Sequence, residues 1–229
     1  VQEKVATVLD EIATKAHYVI DILVRNLYER TADVGFLATD KELRTFVAVP
    51  QGDEDLMCYF LRAYRNKYTV YDEIILLNVD GNVLVQINDE TPIEGSQDQL
   101  VSQTLNTEHY VETYRATDLR PDKDKSLIYS KRMLCPNTGE VIGVLCLCFN
   151  FAHEMVCIFD SYGDASQRSV TLLLDDNRQV IESSDDVWVP SGVKVPVNTE
   201  GCYDLVMYGG RQHFVSTFKA EGYQGYMGR

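Results

Sequence analysis

The stretch Tyr71 to Asn88, YDEIILLNVDGNVLVQIN, decides the fold. An apolar run meets the turn Val79-Asp80-Gly81-Asn82, and a second apolar run follows it. Asp-Gly between two such runs is a strong β-hairpin signal, because hairpin turns need residues that tolerate positive φ. A similar phrase returns at Ser169 to Asp186, SVTLLLDDNRQVIESSDD, around the turn Asp175-Asp176-Asn177-Arg178. The copies lie roughly a hundred residues apart, too far for a short solenoid repeat. The spacing implies two similar modules in tandem.

Upstream of the first copy the chain is helical. Val5, Leu9, Ile12, Ala16, Val19, Leu23 and Leu27 recur at spacings of three and four. That period predicts an amphipathic helix from residue 1 to about residue 30. It is longer than a small domain needs and is expected to run along both modules as a spine. Asp40 is placed to cap a short helix that stops before Pro50. Asp53 is placed to cap another, with Leu56, Met57, Phe60, Leu61 and Tyr64 on one side.

Downstream of the first copy, Thr91 to Thr107 reads as loop with a short helix around Leu100 and Leu105. Glu108 to Tyr114 reads as a further helical turn, and Thr117 to Lys125 as a charged loop. Two long strands are expected at Ser126 to Cys135 and Glu140 to Phe151, joined by the turn Pro136-Asn137-Thr138-Gly139. A linker helix over 151–164, with Asn150 as its cap, ends at Ser161-Tyr162-Gly163-Asp164. After the second copy, Tyr203 to Tyr208 and Gln212 to Phe218 form a hairpin around Gly209-Gly210. Hairpin connections dominate, which argues an α+β fold with antiparallel sheets rather than a parallel sheet.

Composition narrows the partners. The net charge is −14 and the pI about 4.6, so the surface repels phosphate backbones and nucleic acid is not an expected partner. No stretch approaches the roughly 18 to 20 apolar residues that span a bilayer. Six cysteines, Cys58, Cys135, Cys146, Cys148, Cys157 and Cys202, show no paired metal spacing, and thiols without evident partners favour a reducing compartment.

The motifs of nucleotide binding, zinc hydrolysis and nucleophile elbows are missing from the sequence. His17, His109, His153 and His213 are scattered and read as ordinary surface or core histidines. Asp175-Asp176-Asn177 lacks the glycine and the distant glutamate of a calcium loop. Cys146 and Cys148 have neither a cation nor a helix N-terminus nearby in sequence to activate a thiol. The expectation is a non-enzyme with no catalytic residue, metal or cofactor. A binding constellation does stand out: Tyr110, Tyr114, Arg115, Asp118, Arg120 and Tyr129 fall within a short span. Arginine forks match carboxylates, and tyrosine offers a flat face with a hydroxyl, so the set suits a small carboxylate ligand. The plainer alternative is that both arginines pair with Asp118, Asp122 or Asp124 in a solvated loop.

With these segments in place the chain resembles the double Cache sensor module of bacterial chemoreceptors and sensor kinases. The resemblance rests on ERTADVGFLATDKELRTF (Glu29 to Phe46), YDEIILLNVDGNVLVQIN, SLIYSKRML followed by TGEVIGVLCLCF, and GYQGYMG, and it covers nearly the whole chain. It implies a long N-terminal helix over 1–33, a first, membrane-distal PAS-like domain over 34–150, a linker helix over 151–164, and a second, smaller PAS-like domain over 165–229 that stops before its last strand. It also implies sensing of a small metabolite in the first domain of a methyl-accepting chemotaxis receptor or sensor kinase. The downstream signalling region would lie elsewhere in the same protein, and homodimers would form through the first helix. The alternative is a ligand-free dimerisation module of a chemotaxis protein.

In the family, the binding loop lies between the second and third strands of the first domain, where Tyr110 to Lys125 falls. Amino-acid-binding members carry Arg-x-Trp before the third strand and an Asp at the end of the fifth. Here Ala116-Thr117 follow Arg115, Pro121-Asp122 follow Arg120, the lone Trp188 lies in the second domain, and Cys148 takes the place of the Asp. Cys148 thereby joins the candidate site, and an ammonium group loses its counter-charge there. The departures point to a carboxylate or an uncharged metabolite. The family implies an extracytoplasmic location while the cysteines favour the cytoplasm, and both stay open. Only the short stretch Val187 to Gly201 follows the second hairpin, whereas a long Tyr- and Arg-bearing segment follows the first. That asymmetry points to the first module as the sensor.

Overall fold

The computed structural model describes residues 2–49, 52–163, 169–198 and 203–227. Pro50, Asp164 and Cys202, on which parts of the sequence reading fall, lie outside them. The chain divides into two compact units, residues 29–151 and residues 1–28 together with 152–229. Helix α1, Gln2–Leu37, contributes to both and runs past the expected end near residue 30. The reason lies in the apolar stripe, which continues from Leu27 through Val34 to Leu37, all buried. Among the described residues no helix is long and apolar enough to cross a membrane.

In the unit of residues 29–151, α2 (Lys41–Ala48) and α3 (Glu54–Lys67) begin at the expected caps. Asp40 Oδ1 accepts from Leu43 N at 3.0 Å, and Asp53 Oδ1 accepts from Leu56 N at 3.0 Å. Each cap satisfies one of the donors that a helix start leaves unpaired. A five-stranded sheet follows: β1 (Tyr71–Asn78), β2 (Val83–Gln86), β3 (Val111–Arg115), β4 (Ser126–Leu134) and β5 (Val141–Phe149). Its order is β2-β1-β5-β4-β3, with every pairing antiparallel. The segment expected as a helical turn before Tyr114 is instead the edge strand β3. Val-Glu-Thr-Tyr-Arg is rich in β-branched and aromatic residues, and the edge of β4 supplies the backbone partners that a lone helical turn lacks.

Strand alternation gives the sheet two buried faces. On one, Ile75, Leu77, Ile128, Val144, Cys146 and Cys148 pack with Leu119 and with Leu100 and Val101 of α4 (Gln99–Leu105). On the other, Ile74, Leu76, Leu145 and Leu147 are buried, with α2 against β5 and α3 against β1. The last turns of α1 meet this second face. Arg30 lies over the rings of Tyr71 and Phe149 at 5.5 and 5.9 Å, and Tyr71 Oη donates to Asp33 Oδ2 at 2.6 Å.

The unit of residues 1–28 and 152–229 receives most of α5 (Phe151–Ser161) and two hairpins, β6–β7 (Leu172–Leu174, Val180–Ser183) and β8–β9 (Asp204–Tyr208, Arg211–Val215). Its core is built from valines: Val180, Val189, Val195, Val197 and Val206. Tyr223 and Tyr226 of the terminal GYQGYMG form an isolated bridge, and Tyr223 packs edge-on to Tyr28 of α1 at 5.2 Å.

Candidate functional site

Alternation along the strands separates the residues that the sequence placed together. Arg115 and Cys148 lie on the α4 side of the sheet, while Tyr114 and Tyr129 point to the opposite side. Tyr129 is fully buried there, and its Oη donates to Glu112 Oε1 at 3.1 Å. Tyr114 is part-exposed, with its ring 5.5 Å from Phe151 and Lys125 Nζ 5.7 Å from its centroid. Tyr110 precedes β3 and is also part-exposed. The six residues therefore do not line one surface.

Both arginines are held by aspartates. Arg115 grips Asp98 with a fork, Nη1 to Oδ2 at 2.7 Å and Nη2 to Oδ1 at 2.5 Å. Asp98 also caps α4, accepting from Leu100 N at 2.8 Å. Burial acts to raise the Asp98 carboxyl, but Arg115 and the Leu100 amide outweigh it and hold the group at about 2. Arg120 is buried and donates from Nη1 to Asp72 Oδ1 at 2.6 Å and from Nη2 to Asp122 Oδ2 at 2.9 Å. Its Nε donates to Asp122 Oδ1 at 3.1 Å, and Lys123 Nζ donates to Asp72 Oδ2. Burial works against the Arg120 charge, yet Asp122 and Asp72 outweigh it and keep the guanidinium a firm cation. The alternative of internal pairing thus holds for Arg120 with Asp122, while Arg115 takes Asp98. Asp118 pairs with neither arginine. It accepts from Ser96 Oγ at 2.5 Å and Gln97 N at 2.8 Å, tying the loop before α4 to the loop between β3 and β4.

Two residues at the same end of the sheet escaped the sequence reading. Glu73 lies opposite Cys148 and is fully buried. Its Oε1 accepts from Ile74 N, Ile87 N and Asn88 N at 2.9, 3.1 and 3.2 Å, and its Oε2 from Gln86 Nε2 at 3.0 Å. Burial pushes this carboxyl upward, against those hydrogen bonds and the Arg120 charge. Ser126 starts β4 opposite Arg115 and is buried, and its Oγ has no hydrogen-bond partner among the described residues. No motif marks either residue, because the strands that pair beside them are distant in sequence.

Burial raises the Cys148 thiol well above its ordinary range and lifts Cys146 to about 12, so both stay protonated and are poor nucleophiles. Among the described residues no group of three or more His, Cys, Asp or Glu side chains is placed to hold a metal ion.

No protein-family model matches the chain, and no curated protein matches it. Solved structures do. The sensor domain of the V. cholerae histidine kinase DctB superposes with a TM-score of 0.61 at 13% identity, covering 94% of this chain and 88% of that one. The sensory domain of the Campylobacter jejuni chemoreceptor Tlp3 gives 0.65 at 11% identity, covering 93% and 89%. The ligand-binding domain of the Pseudomonas aeruginosa PAO1 amino acid chemoreceptor PctC, in complex with GABA, gives 0.65 at 14% identity, covering 96% of each chain. These neighbours are Cache-type sensory domains, and the chain shares their α+β fold. At such identities the likeness is one of fold.

Proposed function

We propose that this chain is the small-molecule-sensing part of a bacterial signal-transduction protein, of the chemotaxis-receptor or sensor-kinase type, and that its ligand binds within residues 29–151. The observation that carries the reading is Ser126 Oγ, a buried hydroxyl without a partner among the described residues. A buried polar group left unpaired costs about 1–3 kcal/mol, which a ligand's hydrogen bond would recover. Ser126 shares its strand face with Ile128, which is paired with Cys148, and Cys148 lies within the influence of Arg120, Asp72 and Glu73. The fold adds support. Tlp3 is solved with L-valine and PctC with GABA, both carboxylates. We favour a carboxylate ligand here as well: the Nε–Nη2 edge of Arg120, now held by Asp122, is the edge a carboxylate fork takes. Response then follows from unequal affinity for two states of the domain and passes to a signalling region of the same protein.

A second reading, a ligand-free interaction module that pairs through α1, draws on a different observation. Leu100, Leu119 and Ile128 fill the α4 side of the sheet, and both arginines are neutralised internally. A thermal-shift screen of carboxylates, amino acids and amines separates the two. Under the sensing reading a compound raises the melting temperature of the wild type, and Ser126→Ala and Arg120→Ala each lose that rise. A screen without a hit favours the ligand-free module, and a hit that both variants keep overturns the site at Ser126 and Arg120.

A further inference from the structure

We infer that α5 carries a two-ligand chelate for a borderline divalent cation of the zinc class, formed by His153 and Cys157. Cys157 Sγ lies 3.7 Å from His153 Nε2, one turn along the helix. Residues four apart on a helix share a face, so one ion can reach both. Zinc holds a thiolate at about 2.3 Å and an imidazole at about 2.0–2.1 Å, and a tetrahedral angle between them puts sulfur and nitrogen about 3.5 Å apart. The pair is already near that separation.

The rest of α5 explains why these two side chains face outward. Met155, Ile158 and Phe159 are buried, and Glu154 accepts from Asn26 Nδ2 at 3.5 Å. His153 and Cys157 are exposed on the other side, and Cys157 is a free thiol. They differ in this from Cys146 and Cys148, which no ion can reach without unfolding the sheet. His153 lacks a histidine partner at metal spacing, and its second ligand is the cysteine four residues on. Binding releases the thiol proton to solvent as the sulfur–metal bond forms. Two coordination positions are left for water.

The test uses the whole chain, under a non-thiol reductant, with cobalt(II) and zinc(II) as probes. Cobalt is expected to give a near-ultraviolet thiolate-to-metal absorption that zinc displaces. Cys157→Ser should abolish it, and His153→Ala should weaken cobalt binding about tenfold or more. In parallel, zinc should slow alkylation of Cys157, followed by peptide mass, in the wild type and not in His153→Ala. Both side chains are exposed, so the substitutions leave the fold intact, as circular dichroism will check. A cobalt absorption that survives Cys157→Ser, or zinc protection unchanged by His153→Ala, overturns the inference, as does the lack of any absorption in the wild type.

Discussion

Asn78 and Asp175 hold their turns with the same pair of hydrogen bonds. Asn78 Oδ1 accepts from Asp80 N and Asn82 N, each at 2.9 Å. Asp175 Oδ1 accepts from Asn177 N at 2.8 Å and Gln179 N at 2.9 Å. The backbone agrees: Asn78 N donates to Asn82 O at 2.9 Å, and Asp175 N to Gln179 O at 3.0 Å. The conformation matches as well, for Gly81 and Arg178 take φ of 83° and 65°. Each hairpin also has a register shift just before the turn, at Leu76/Leu77 and Leu173/Leu174. Asn78 therefore corresponds to Asp175, one position off the alignment that the quoted phrases suggest. The repeat is a structural device, not a ligand site.

The turns can be tested against each other. Asn78→Ala and Asp175→Ala should each lower stability by about 1 kcal/mol, read by urea unfolding, while Asn78→Asp and Asp175→Asn should be better tolerated. Gly81→Ala should be harsher, because its Cβ would meet Ser96 O at 2.6 Å as well as hold a positive φ. Arg178→Gly should leave stability unchanged or raise it by up to about 1 kcal/mol, since an L side chain is strained at that φ. A loss on Arg178→Gly would show that the arginine side chain contributes contacts beyond the turn.

Glu73 should tolerate no isostere. Four donors converge on its carboxylate, so Glu73→Gln would set an amide NH₂ against another donor. Gln86 cannot relieve this by turning its own amide, because its Nε2 also donates to Thr91 O and its Oε1 accepts from Ile93 N. The expected loss is about 1–3 kcal/mol, with raised amide hydrogen exchange at Ile87 and Asn88. Unchanged exchange at both amides would refute the role.

Asp98 sets a pH dependence. Its folded pKa of about 2 lies below the ordinary 3.8, so the ionised form binds the fold better than the protonated one. The stabilisation is full above the ordinary value and is lost as pH falls from near 4 towards 2. Arg115 is partly open to solvent, so the contribution is on the order of 1 kcal/mol. Arg115→Leu should flatten the stability curve across that acid window and leave its neutral limb with the same shape.

Thiol reactivity should be ordered by environment. The Thr138 hydroxyl, with the amides of Thr138 and Asn137, holds the Cys135 thiol below its ordinary range, while burial raises Cys58, Cys146 and Cys148. Timed alkylation with peptide mass analysis should find Cys135 modified ahead of Cys58, and Cys146 and Cys148 last. Thr138→Ala should slow Cys135. Equal rates for Cys135 and Cys146 in the folded chain would contradict the packing of β5.

What could be read in advance was local. Asp40 and Asp53 announce their helices because a cap acts over three residues, and the turn at Gly81 follows from the dihedrals that glycine permits. The edge strand β3 differs from the expected helical turn because Val111, Thr113 and Tyr114 are too few to decide a strand alone; the pairing with β4 decides it. The candidate constellation suffered in the same way. Tyr129 and Cys148 look like neighbours in a list of polar residues, yet the two-residue period of β4 and β5 sends them to opposite faces.

The sequence by itself determined the elements: the long helix, the twice-used hairpin turn and the antiparallel α+β fold. All of these rest on periodicity and turn chemistry over a few residues. Only the tertiary structure decided who pairs with whom. Arg115 takes Asp98 and Arg120 takes Asp72 across separations of 17 and 48 residues, while Glu73 gathers amides from a neighbouring strand end. A charged group takes the counter-charge that the fold brings within reach, and that distance is a property of packing rather than of sequence order.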